Sequence, residues 1–123
     1  MVGAKWQFGR HLAEFQGLQF MMADMAMQIE AARLMVYHCA RMVDQGKVGK
    51  EYAWLLSMAK CYPTDVAMKV AVDAVQILGG YGYMQDYPLE RFMRDAKQLQ
   101  IVEGTNQVQR VVIARGLIGD LPE

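Results

Sequence analysis

The stretch from Leu12 to Gln45, LAEFQGLQFMMADMAMQIEAARLMVYHCARMVDQ, decides the fold class. Its apolar residues recur as Phe15, Leu18, Met22, Met25, Ile29, Ala32, Val36, Cys39 and Val43. The spacing alternates between three and four, which lines one side of an amphipathic helix. Glu14, Gln28, Arg33 and Arg41 fall off that line. No Gly or Pro occurs between Leu18 and Gln45. A helix is therefore expected from about Leu12 to Gln45, roughly 50 Å long at about 1.5 Å per residue. Gly46 and Gly49 end it, because glycine accepts the left-handed turn of a helix terminus.

Working outward, a second helix is expected from Lys50 to Leu78, with Ala53, Leu56, Ala59, Ala67, Val70, Ala74 and Ile77 inward. Pro63 lies within it and lacks an amide hydrogen, so a kink or break is expected there. Gly79-Gly80-Tyr81-Gly82-Tyr83 stops this helix. Pro88 suits the first turn of a third helix running to Leu99. Thr105 or Asn106 can cap a fourth that runs to Ile118. Strand-type alternation is absent at any useful length. The fold class is all-α, an antiparallel up-and-down four-helix bundle with two long and two shorter helices. The long pair should project beyond the short pair and expose apolar residues, among them Leu18, Phe20, Met21 and Met22. Such stripes mark helix-to-helix interfaces, so self-association or docking onto a larger chain is expected.

Composition narrows the class. The 123 residues are 54% hydrophobic and 21% charged, too apolar for a disordered chain. Thirteen Lys plus Arg balance thirteen Asp plus Glu, so nothing draws the chain to nucleic acid. Eleven methionines and three prolines favour a pliable core of long helices. Asp24, Gln28 and Glu30 interrupt the most apolar stretch, so no membrane span is expected. Cys39 and Cys61 form no CxxC pair, and His38 and Cys39 fall on different faces of one helix, so neither a disulfide scaffold nor a metal site is expected. No secretory signal is legible, and a cytoplasmic or mitochondrial-matrix location is expected.

Three segments can carry chemistry. Gln76 through Gly82 places three glycines after a helix. It reads either as a helix stop or as a loop whose amides meet phosphate oxygens. Arg91, Arg94 and Lys97 share one helix face, either a phosphate site or a face neutralised by Glu90, Asp95 and Glu103. Glu103 follows Ile101-Val102 and precedes Gly104. It is either an exposed loop carboxylate or a base whose basicity an apolar surround raises, as removal of a carbon-bound proton requires.

In this order and spacing, several segments are specific together. They are Phe8-Gly9, Leu12-Ala13-Glu14-Phe15-Gln16, Met22-Ala23-Asp24-Met25-Ala26 and Glu30-Ala31-Ala32-Arg33. They continue with Met58-Ala59-Lys60, Asp73 through Gly82, Tyr87-Pro88-Leu89-Glu90-Arg91, Arg94-Asp95-Ala96-Lys97 and Ile101 through Gln107. The chain resembles the C-terminal helical domain of the flavin-dependent acyl-CoA dehydrogenases, from Lys5 to about Ile118, and residues 1–123 are assigned to that one domain.

The resemblance implies α,β-desaturation of an acyl-CoA thioester, in which a glutamate takes the α-proton and the β-hydrogen leaves as hydride to the flavin. By motif match the base is Glu103, whose amide also helps hold the thioester carbonyl. Val102 and Gly104 would meet substrate. Thr105 and Gln107 match contacts to FAD of the same subunit. Gln76, Ile77, Leu78, Gly79 and Gly80 match the segment that meets the adenine and pyrophosphate of a neighbouring subunit's FAD. Lys5, Gln7, Phe8, Phe15 and Gln16 match further contacts across that interface, with adenine against Phe8. The implied partners are further copies of the chain, as dimer or tetramer through the long helices, an acyl-CoA, and an electron-transfer flavoprotein as acceptor.

Departures qualify this. Lys5 stands where the family usually has arginine and loses the two-pronged fork for a pyrophosphate. His11 replaces a common proline, Pro63 interrupts a helix usually free of proline, and Val102 replaces a frequent aromatic. Glu103 itself argues against the variant that keeps the base on another helix. The family's N-terminal helical domain and middle β-domain are absent, so the chain alone is expected to be inactive. A stand-alone assembly module, or an accessory subunit completing another chain's flavin site, are the alternatives.

Overall fold

Helix α1 begins later than the periodicity implies. Residues 2–119 are described in the computed structural model, and the two ends of the 1–123 assignment, Met1 and residues 120–123, lie outside them. Ahead of α1 stands a small antiparallel hairpin, β1 (Trp6–Gln7) and β2 (Arg10–His11), pairing Trp6 with His11 and Gln7 with Arg10. Its turn, Phe8-Gly9, has φ +52° and +75°, the two positive angles that a two-residue hairpin connection requires. Four paired residues are too few for alternation to show, which is why no strand was legible. A 3₁₀ turn over Leu12–Glu14 follows. Phe15 is extended (φ −81°, ψ 117°), and α1 (Gln16–Asp44) starts behind it. The expected start at Leu12 is corrected: Leu12 is tied back by its amide to the Lys5 carbonyl at 2.9 Å and is buried.

A second 3₁₀ turn, Lys50–Tyr52, leads into α2 (Ala53–Leu78). Of the kink or break expected at Pro63, the break does not occur, and α2 stays helical throughout. Proline costs the helix one donor and crowds one carbonyl. Beside it the Thr64 hydroxyl donates to the carbonyls of Lys60 (2.7 Å) and Cys61 (3.2 Å), which adds local pairing. The glycine-rich segment does more than stop α2. Gly79 turns the chain with φ +58° and ψ −136°, and α3 (Gly80–Tyr83) adds one further helical turn. A Cβ on Gly82 would meet the Val75 carbonyl oxygen at 2.7 Å, so glycine there lets α3 close onto α2. Helix α4 (Leu89–Leu99) begins after Pro88, which stands at its N-cap. Helix α5 (Asn106–Ile118) begins behind Thr105, whose hydroxyl oxygen accepts from the Val108 amide at 3.3 Å.

The four principal helices α1, α2, α4 and α5 make the expected all-α bundle. Helix α2 is its centre and packs against α1, α3, α4 and α5. The inward positions expected on α2 are all buried or half-buried. On α1 only part of the expected apolar line faces inward, and Met22 of that line is half-buried. Leu18, Met25, Ala32 and Cys39 face inward, joined by Met21, Gln28, Met35 and Met42 rather than by Ile29, Val36 and Val43. Those last three are 37%, 40% and 46% exposed. Apolar residues flank the central row on both sides, and Gln28 disguises the side that α2 takes. Of the four residues expected to be exposed on α1, only Phe20 is; Leu18, Met21 and Met22 are half-buried. Phe20, Met27, Leu34 and Tyr37 continue the uncovered face.

That face is large. The accessible surface is 8617 Å². A folded monomer of 13.9 kDa presents about 6,700 Å². The excess, roughly 1,900 Å², is of the size that protein–protein contacts cover.

Candidate functional site

Glu103 lies in the six-residue connection between α4 and α5, Gln100 to Thr105. The ends of this loop are tied together. The Asn106 amide donates to the Gln100 carbonyl at 3.0 Å. The Gln100 and Asn106 side-chain amides both donate to Asp65 Oδ1, at 2.9 and 2.6 Å. Asn106 is the hub of the arrangement and is only 2% exposed. Its Nδ2 also lies 2.8 Å from Thr64 Oγ1 and 3.2 Å from the Cys61 carbonyl, and its Oδ1 accepts from Lys60 Nζ at 2.6 Å. Arg110 closes the network as an ion pair with Asp65 Oδ2. These groups satisfy one another in a site where unpaired polar atoms would be costly.

Within this frame the backbone is strained. Glu103 has φ +55° and Gly104 φ +86°. A left-handed non-glycine residue costs about 1–3 kcal/mol and persists only where its surroundings hold it. Here Gln109 Nε2 donates to the Glu103 carbonyl at 3.0 Å, and Lys60 Nζ donates to the Gly104 carbonyl at 2.8 Å. The positive φ of Gly104 favours glycine there, and a Cβ would also crowd the tip of Gln109, with Nε2 at 2.7 Å. The Glu103 side chain is exposed, as are Val102, Gly104 and Gln107, and Thr105 is half-buried. Ile101 and Val102 are 56% and 38% exposed, so within this chain the apolar surround expected of the base is an open surface.

Burial works to raise the Asp65 carboxyl, but hydrogen bonds from Arg110, Asn106 and Gln100 outweigh it and hold the group below its ordinary value. Its stabilising contribution is therefore complete above the unfolded value near 4 and is lost as pH falls through the lower folded value. Thermal melts of wild type and Asp65→Asn should differ most near neutral pH and draw together as pH falls below the unfolded value near 4. A gap that stays constant as pH falls would contradict this. Burial pushes the Cys39 and Cys61 thiols up, which makes both poor nucleophiles.

The other expected site residues form a second region. Lys5 Nζ donates to the Leu78 carbonyl at 2.6 Å and sits 4.5 Å from the Tyr81 ring centroid. It also lies 3.9 Å from where a Gly79 Cβ would stand. Lys5, Gln7 and Leu78 line an open groove of about 550 Å³. Gln7, Phe8, Phe15 and Gln16 line an adjoining one of about 610 Å³. The Ile77 and Leu78 side chains belong to the core, so only their backbone can meet a ligand. Gln76 is exposed, and nothing in the chain comes within 4 Å of a Cβ placed on Gly80. Phe8 is 93% exposed at its strained hairpin turn.

The two regions do not meet. Lys60 marks the first and Leu78 the second, and eighteen helical residues of α2 separate them, roughly 27 Å at about 1.5 Å per residue. The basic face of α4 borders a further open groove of about 650 Å³, with Arg94 and Lys97 among its walls. Lys97 donates to Gln100 Oε1 and Arg91 stacks on Phe92, and among the described residues no salt bridge joins Arg91, Arg94 or Lys97 to an acid. His38 is exposed and Cys39 buried, and among the described residues no cluster of three His, Cys, Asp or Glu could hold a metal. Among the described residues no helix is long and apolar enough to cross a membrane. Sequence reasoning missed Asp65 and Asn106 as the loop's frame. The signal available was Asn106 beside a capping threonine, which reads equally as a cap.

A family model described as "Acyl-CoA dehydrogenase, C-terminal domain" matches residues 2–118. The acyl-CoA dehydrogenase of Bacillus subtilis is 55% identical over 114 residues, covering 92% of this chain and 29% of the relative. The structure of butyryl-CoA dehydrogenase from Megasphaera elsdenii superposes with a TM-score of 0.90 at 48% identity, covering 95% of this chain and 30% of that one. A chain in a structure of the electron transferring flavoprotein of Acidaminococcus fermentans superposes with a TM-score of 0.91 at 57% identity, covering 97% and 30%. The chain thus spans less than a third of the length of these relatives.

Proposed function

Because the chain belongs to the acyl-CoA dehydrogenase family, as its C-terminal domain, we propose that it supplies the catalytic base and the subunit interface of an FAD-dependent acyl-CoA dehydrogenase. The observation that carries this reading is the backbone of Glu103. A carboxylate without a hydrogen-bond or ion-pair partner among the described residues is held exposed in a left-handed conformation by two side chains from outside the loop. Strain retained at an exposed acid is accounted for by a fixed direction for its carboxylate. In that role Glu103 removes the α-proton of a bound acyl-CoA, and Val102 and Gly104 border the thioester. The Glu103 amide donates to the thioester carbonyl as charge develops there.

The second region fits a dinucleotide. Gly80 leaves backbone open where this chain places nothing. An ammonium has three donors, so the bond from Lys5 to Leu78 leaves others for a pyrophosphate. Phe8 presents an aromatic face that no other part of the chain covers. When bound, FAD supplies the hydride-accepting chemistry. Thr105 and Gln107 would hold the flavin of the same subunit, and Lys5, Gln7, Phe8, Phe15, Gln16 and Gln76 through Gly80 that of a neighbour. The separation of the two regions along α2 supports this sharing. The uncovered face of α1 supports a homo-oligomer, dimer or tetramer, and docking of the N-terminal helical and middle β-domains. An electron-transfer flavoprotein is the acceptor this reading implies.

An assembly module without chemistry would account for the apolar face of α1 but not for the strained Glu103. The two are separated by joining this chain behind the amino-terminal part of the Bacillus subtilis relative. The joined protein should purify yellow, with about one FAD per chain, and oxidise an acyl-CoA. The 123-residue chain alone should bind no FAD and turn nothing over. A colourless, inactive but folded joined protein would favour the module.

A further inference from the structure

We propose that Lys60 is a positioning residue for Glu103, holding the base's turn in its left-handed form from the middle of α2. The inference rests on the reading of Glu103 as the base.

Lys60 is separated from the turn by more than forty residues, yet its ammonium is shared between two oxygens of the turn's frame. One is the Gly104 carbonyl at 2.8 Å, immediately after the strained peptide. The other is Asn106 Oδ1 at 2.6 Å, the buried hub that fixes the start of α5. A charge-assisted bond to a carbonyl is among the stronger fixings available to a loop. The Gly104 carbonyl direction sets the plane of the peptide between Gly104 and Thr105, and with φ of Gly104 it constrains the chain entering from Glu103. Gln109 holds the preceding carbonyl, that of Glu103, at 3.0 Å. The two successive carbonyls are therefore pinned from two different helices, α2 and α5. Without Lys60, the Gly104 carbonyl keeps only a marginal 3.5 Å contact with Gln109 Nε2. The turn could then relax to a right-handed Glu103 that no longer costs strain, and the carboxylate would leave its direction. Lys60 touches neither substrate nor cofactor in this scheme and acts only through Gly104 and Asn106.

The test uses the joined holoenzyme. Lys60→Met should lower kcat about 10- to 100-fold, the scale of a misplacement near 1 Å, with KM and FAD content unchanged. Its crystal structure should show Glu103 with negative φ. Lys60→Arg keeps two donors and should restore kcat to within about threefold of wild type. A merely structural lysine would lower the yield of folded, flavin-loaded enzyme without changing kcat per flavin. If Lys60→Met does not fold, Gln109→Met decides, since it removes the other pin from the same turn. It should lower kcat per flavin in the same direction while KM holds. A Lys60→Met enzyme, or a folded Gln109→Met enzyme in its place, with Glu103 still left-handed and wild-type kcat would overturn the proposal. Loss of the base reading is seen separately: Glu103→Gln retaining turnover removes it, whatever Lys60→Met does to the turn.

Discussion

Asn106→Ala should destabilise the fold by about 3–5 kcal/mol, the cost of leaving buried polar and charged groups without their partner. Asn106 is nearly inaccessible, and its amide meets Lys60, Cys61, Thr64 and Asp65 at 2.6–3.2 Å. Alanine satisfies none of them and leaves a cavity that the surrounding helices cannot close. Asp65 would keep Arg110 and Gln100, so part of its pairing survives. Lys60 would keep only the Gly104 carbonyl. A fall in melting temperature of roughly 10–20 °C follows for a domain of this size. Differential scanning calorimetry of wild type and variant checks it, and a fall under about 3 °C would mean that the network adds little.

The second large effect is chemical. Glu103→Gln should cost the joined enzyme about 10² to 10⁴ in turnover, the usual contribution of a positioned base. Glutamine matches glutamate in size and keeps the backbone bonds of the turn, because Gln109 and Lys60 hold carbonyls rather than the carboxylate. Flavin content and melting temperature should therefore stay near wild type. Loss of turnover together with loss of FAD would instead point to a structural role.

The all-α class, the helix order and a cap at Thr105 or Asn106 were legible in the residues, and the structure chooses Thr105. Long three-and-four spacing and well-placed glycines leave few alternatives. The inward side of α1 was not legible, because Ile29, Val36 and Val43 are as apolar as Met21, Met35 and Met42. Only the position of α2 chooses between them, and Ile29, Val36 and Val43 stay exposed. The hairpin was hidden because two-residue strands have no period. At the site, motif resemblance pointed to Glu103 and the glycine-rich turn. It could not show that Lys60, Asp65 and Asn106 frame the loop, since that depends on α2 and α5 meeting more than forty residues apart in sequence.

In the proposed reaction Glu103 takes a proton from bound acyl-CoA. Rapid mixing of the joined enzyme with acyl-CoA, without an acceptor, tests it most directly, because loss of the yellow flavin absorbance reports a single turnover. Wild type should bleach, and Glu103→Gln with the same flavin content should stay yellow over the same interval. A variant that bleaches at the wild-type rate would contradict the claim.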